Sequence, residues 1–96
     1  MYQVYKTKIF TDWFNSLKDQ TAKNKIRIRI DRIELGNLGD HHSIGDGVSE
    51  LRITYGPGYR IYYVIRGREI IILLCGGDKS GQNKDIKRAK KLAQEV

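Results

Sequence analysis

Residues 70–75 read IIILLC, an apolar side chain at every position. A strand with one wetted face alternates apolar and polar residues. A strand with none is covered on both sides, so this run is expected to be a central strand of a small sheet. Two further runs precede it, VSELRITY and YRIYYVI, rich in β-branched and aromatic residues and separated by GPG and by RGR. The three runs predict an antiparallel meander from residue 48 onward.

The first third of the chain follows a different period. After a short opening strand at YQVY, Thr7 can cap a helix in which Ile9, Trp13 and Leu17 recur every four residues, with Phe10 and Phe14 beside them, ending near Lys18-Asp19. In TAKNKIRIRIDRIELGN the isoleucines alternate with arginines as in a strand, yet Ala22, Ile26, Ile30 and Ile33 also form a helical face. Length decides between the two. The stretch from Thr21 to Gly36 has no turn signal and ends on Gly36-Asn37, which suits a helix. The two helices form an αα-hairpin. In the tail NKDIKRAKKLAQEV, Ile86, Ala89 and Ala93 fall on one stripe of a terminal helix. The expected architecture is α+β: two N-terminal helices packed on a small antiparallel sheet, with a C-terminal helix, in one domain spanning residues 1–96.

With 96 residues the chain suits a single modest core. Its one cysteine, Cys75, excludes an intrachain disulfide and a Cys-rich zinc site, and favours a reducing compartment. No apolar run approaches the ~18 residues that a membrane-spanning helix needs, so a cytoplasmic protein without membrane partners is expected. Lysine and arginine number 18 against 11 acidic residues, a formal charge of +7. That makes a polyanion the leading class of partner.

Arg60 interrupts the packing strand YRIYYVI, and pairing rules locate its neighbours. Closure at Gly56-Pro57-Gly58 puts Tyr55 opposite Tyr59, Arg52 opposite Tyr62 and Thr54 opposite Arg60, which makes Arg52 and Arg60 diagonal neighbours about 7–8 Å apart. A turn at Gly67-Arg68 pairs Arg66 with Glu69, hence Arg60 with Cys75, and Lys79 follows just past the strand. Three cations at one end of a sheet with no evident carboxylate partner are expected to hold an anion. Tyr59 and Tyr62 offer rings on which a base can stack. The plainer reading is a solvated arginine face, with Glu50 or Asp78 neutralising one member. His41 and His42 lack the companion ligands of a metal site. GGDKSG has a lysine and glycines but not the spacing of a phosphate loop.

The ordered series FTDWFNSLKD, RIRIDRIELGNLGD, GVSELRI, GPGYRIYY and LLCGGDKSGQNKDIKRA, from about Phe10 to Ala93, resembles the HigB-like addiction-module killer proteins, a branch of the RelE/ParE toxin superfamily. The resemblance implies two N-terminal helices against a small antiparallel sheet. It also implies a type II toxin that acts at the ribosome, cleaves mRNA there, and is neutralised by a cognate helix-turn-helix antitoxin. Such cleavage uses the RNA 2′-OH as internal nucleophile and requires no metal or other cofactor. By this resemblance Arg60 stabilises the transition state, Arg52 is a second phosphate clamp and Lys79 a proton donor or further phosphate ligand. His42, or less directly His41, is the expected general base if its loop folds over this end of the sheet. The net charge, rather than the resemblance, makes Lys84, Lys87 and Arg88 of the terminal helix candidate RNA contacts, the alternative being a solvated face. One departure stands out: RelE-type nucleases carry lysines just before the leucine-arginine pair, where this chain has Ser49-Glu50. ParE toxins share the glutamate-leucine-arginine strand and poison DNA gyrase without cutting RNA, which is the alternative function.

Overall fold

Thr7 accepts a hydrogen bond from the Phe10 amide at 3.0 Å and so starts the first helix, α1 (Lys8–Ser16), directly after strand β1 (Gln3–Lys6). The computed structural model describes residues Met1–Val96. Helix α2 (Gln20–Glu34) is capped by Asp19, whose carboxylate accepts from the amides of Thr21 and Ala22. It buries Ala22, Ile26, Ile30 and Ile33, the face expected from their spacing. Each buried isoleucine contributes about 1.5–3 kcal/mol, so this face rather than the arginine alternation decides the fold of the segment. Gly36 ends the helix at φ +95°, a conformation that suits glycine.

A strand absent from the expected meander follows. Residues His41–Gly45 form β2, paired antiparallel with β3 (Val48–Ile53). Asp46 and Gly47, both at positive φ (56° and 76°), make the two-residue turn whose twist matches a hairpin. Strands β4 (Tyr59–Arg66) and β5 (Ile70–Asp78) complete a sheet of order β1-β5-β4-β3-β2. The sheet is mixed rather than antiparallel, because β1 runs parallel to β5. A 3₁₀ turn (Lys79–Gly81) leads into the terminal helix α3 (Gln82–Glu95).

Helices α1 and α2 cover one face of the sheet, over Leu51, Ile53, Tyr59, Ile61, Tyr63, Ile71 and Leu73. Helix α3 covers the other, where Ala89, Leu92 and Ala93 meet Val48, Tyr62, Val64, Leu74 and Cys75. Burial on both faces accounts for the uninterrupted apolar run of β5. Two adjacent glycines, Gly76 and Gly77, serve the same two-sided packing. A Cβ on Gly76 would overlap the indole of Trp13, and one on Gly77 would overlap the Asp85 carboxylate. GGDKSG is therefore a packing site between α1 and α3.

Both expected registers are displaced. Strand β3 ends at Ile53, which pairs with Tyr59, and the Gly58 amide bonds the Tyr55 carbonyl at 3.0 Å. The connection is five residues long instead of three, so Arg52 lies directly opposite Arg60 instead of diagonal to it. Between β4 and β5 a bulge at Leu74 shifts the ladder, and Arg60 pairs with Gly77 rather than Cys75. The Leu74 carbonyl accepts the Thr7 hydroxyl at 2.7 Å.

Candidate active site

Arg52 and Arg60 project from adjacent strands onto the α3 face, at the end of the sheet where the chain enters α3. Glu50, two residues before Arg52 and hence on the same face, lies between them. Its Oε1 accepts from Arg52 Nε at 2.8 Å and from Arg60 Nη1 at 3.0 Å. The carboxylate is 1% exposed, the Arg60 side chain 12% and the Arg52 side chain 42%. The expectation of cations without a carboxylate partner is thus corrected: one buried carboxylate serves both, and the triad retains a net positive charge. Arg60 is the inner arginine and Arg52 presents the remaining guanidinium edge to solvent.

Three polar atoms beside this triad are buried without a partner: Glu50 Oε2, Arg60 Nε and the Tyr62 hydroxyl. Tyr62 is directly opposite Glu50 in the ladder. Burial, and then the charges of Glu50 and Asp85, push its phenol well above the usual tyrosine range. The Tyr62 hydroxyl is therefore a donor at all physiological pH values. Tyr62 is fully buried and Tyr59 is 8% exposed, packed edge-on to Trp13 at 6.3 Å between ring centroids. Neither ring has an open face, so base stacking on Tyr59 or Tyr62, expected from the sequence, is corrected to core packing.

His42 pairs with Glu50 across β2 and β3, which puts it on the same face, one strand outward. Its Nε2 lies 2.9 Å from Asp40 Oδ1, and both side chains are about half exposed. His41 donates from Nδ1 to the Gly39 carbonyl at 2.9 Å and stays in solvent. Lys79 is exposed at the start of the 3₁₀ turn, its Cβ beside Gly58 of the β3–β4 connection, at the same end as the arginines. Lys84, Lys87 and Arg88 are exposed along α3. No group of three or more His, Cys, Asp or Glu side chains is placed to hold a metal ion.

Several contributors were not singled out by sequence reasoning. Arg29 of α2 donates from Nη1 to the Arg52 carbonyl at 2.6 Å and from Nη2 to the carbonyls of Leu38 (3.2 Å) and Asp40 (3.1 Å). One guanidinium therefore fixes the backbone of Arg52 and that of the carboxylate holding His42. The Arg52 amide donates to the Asp40 carbonyl at 3.1 Å and closes the same knot. The available signal was Arg29's place beside the buried stripe of α2. Asp85, in the first turn of α3, lies over Gly77, and burial raises its pKa above the ordinary carboxylate value. Cys75 is buried and its thiol is pushed up to about 12 by desolvation, which makes it inert.

Residues 12–96 match the model of a family described as phage derived protein Gp49-like (DUF891). A protein of Haemophilus influenzae (strain ATCC 51907 / DSM 11121 / KW20 / Rd), described as uncharacterized, is 52% identical over 94 residues, 98% of this chain and 95% of its own length. The fold resembles a chain in the crystal structure of the intact E. coli RelBE toxin–antitoxin complex, with a TM-score of 0.66 over 81% of this chain and 96% of that one, at 10% identity. The chain belongs to the Gp49-like family.

Proposed function

We propose that residues Met1–Val96 form the toxin of a type II toxin–antitoxin pair, HigB-like in kind, that cleaves mRNA at the ribosome in the cytoplasm and is held inactive by a helix-turn-helix antitoxin. The observation that carries this reading is the direct juxtaposition of Arg52 and Arg60 on one face, with His42 one strand away. The outward edge of Arg52 receives the non-bridging oxygens of the scissile phosphate in the forked geometry that a guanidinium matches. Arg60, tied to Glu50, supplies fixed positive charge from beneath, where exclusion of water strengthens it.

The reaction forms the O2′–P bond and breaks the P–O5′ bond. His42, oriented by Asp40, takes the 2′-hydroxyl proton, and Lys79 gives a proton to the departing 5′-oxygen. The products are a 2′,3′-cyclic phosphate and a 5′-hydroxyl. Lys84, Lys87 and Arg88 bind RNA backbone along α3.

Glu50 also favours a second reading. It already satisfies part of both guanidinium groups, as suits a ParE-like toxin that binds gyrase as a protein surface. Primer extension on transcripts after induction separates the two. Discrete cuts that require ribosomes support the nuclease. Intact transcripts with gyrase-linked DNA breaks overturn it in favour of the gyrase toxin.

A further inference from the structure

Positions 25, 28, 29 and 32 of α2 stand at the spacing that normally carries a buried apolar stripe, yet three of them are Lys25, Arg29 and Arg32. Together with Ile28, and with Ile53 and Thr54 from the end of β3, they line a groove of about 250 Å³. No carboxylate lines it. Neither Lys25 nor Arg32 has an acidic group within ion-pair distance, although Asp40 and Asp19 lie nearby. Asp40 is engaged with His42, and Asp19 with the first amides of α2 and the Tyr55 hydroxyl. Lys25 is further located by the Tyr55 ring, 5.3 Å from its centroid. Ile28 leaves half its surface in water (49% exposed) on the wall of the groove.

Lys25 and Arg32, two cations without an ion-pair partner beside an apolar wall and the already engaged Arg29, suit an anion with apolar parts. We infer that this groove binds single-stranded RNA, with phosphates on Lys25 and Arg32 and a ribose or base edge against Ile28. Arg29, whose two terminal nitrogens hold backbone carbonyls, forms the floor. The inference rests on the RNA-cleavage reading for its choice of ligand. Topology joins the groove to the proposed active site. The pairing of β2 with β3 stops at Leu51, so past Arg52 no strand covers the outer edge of β3. Arg52 points to the α3 face and the groove opens on the α2 face. The Asp40 carbonyl and the Arg29 guanidinium occupy the edge at Arg52, and beyond them the outer edge at Ile53 and Thr54 carries no strand and lines the groove. A strand of RNA cut at Arg52 can therefore pass over the edge into the groove.

Fluorescence anisotropy with a labelled 12-nucleotide single-stranded RNA, titrated at several salt concentrations, tests this. The pair Lys25→Gln and Arg32→Gln is expected to weaken binding about tenfold and to flatten the log-log salt dependence by about 1.4, at ~0.7 for each phosphate left without its cation. The control pair Lys6→Gln and Arg68→Gln removes the same charge from exposed positions elsewhere and is expected to change little. Equal losses in the two pairs, an unchanged affinity in the groove pair, or no RNA binding by the wild type would each overturn the groove. Displacement of the RNA by poly-glutamate at matched charge concentration would overturn it in favour of an acidic protein segment. If Arg52→Ala and Arg60→Ala leave toxicity intact while the groove pair loses RNA, the cleavage reading fails and the groove stands.

Discussion

Arg52 and Arg60 face each other directly across β3 and β4, and a single oxygen of Glu50 holds both. Two guanidinium groups this close would separate without that carboxylate, and a carboxylate this buried would be costly without them. Removing one partner of such a buried set leaves uncompensated charge, at about 3–5 kcal/mol. Glu50→Ala is therefore expected to lower unfolding stability by that amount in urea titrations. Arg60→Ala should lose comparably in stability and abolish toxicity, and Glu50→Ala with Arg60→Ala should cost less than the two single changes added. Strict additivity would show that the three residues do not form one unit.

Arg29 makes a sharper test of how the site is held. Its three backbone acceptors belong to Arg52, Leu38 and Asp40, so it sets the positions of a proposed phosphate ligand and of the partner of the proposed base. Arg29→Met is expected to cost about 1–3 kcal/mol through orphaned carbonyls and to speed hydrogen exchange at the Arg52 amide. Arg29→Lys should fail to restore that protection, because one ammonium cannot span three carbonyls in a planar fork. Full protection in the lysine variant would reduce Arg29 to a charge.

The same residues show which parts of the molecule are legible in the sequence. Helix α2 is legible because Ala22, Ile26, Ile30 and Ile33 all obey one period and all are buried. Strand β2 is not, because His41-His42-Ser43 has no alternation; only Asp46-Gly47 marks its hairpin. The gathering of Arg52, Arg60 and Lys79 at one end follows from alternation and turn order. Their register does not, because the five-residue turn and the Leu74 bulge depend on packing across the sheet. The burial of Glu50 depends on α3 closing over it, and the fork of Arg29 joins residues far apart in the chain. Neither is carried by any local pattern.

Gly76 and Gly77 predict unequal costs. An alanine methyl at Gly76 meets the ring of Trp13, which is packed against Phe10 and Tyr59 and cannot withdraw. Gly76→Ala is expected to lose about 1–3 kcal/mol by overpacking, read from chemical denaturation. At Gly77 the obstacle is the end of the Asp85 side chain, which can rotate into solvent. Gly77→Ala should therefore cost less. The reverse order would mean that Asp85, not Trp13, is the fixed element.

Asp85 and Asp78 give the pH dependence its sign. Burial, and less strongly the charge of Asp78, raise the pKa of Asp85 above its unfolded value of 3.8, so the folded state binds its proton more tightly than the unfolded chain does. The stabilising contribution of Asp85 is full below pH 3.8 and is lost as pH rises through the elevated folded value. At neutral pH the ionised carboxylate opposes folding. Asp78 behaves oppositely: hydrogen bonds from Ser80 lower its pKa, so its contribution is present above pH 3.8 and lost as pH falls through the depressed value. Asp85→Asn is thus expected to raise Tm at pH 7 and to bring no gain at pH 3, whereas Asp78→Asn should lower Tm at pH 7. Because Asp85 also raises the pKa of the Tyr62 phenol, Asp85→Asn should shift the tyrosinate absorbance titration of Tyr62 downward. An Asp85→Asn variant with the same Tm as wild type at pH 7 would place that carboxylate in solvent rather than over Gly77.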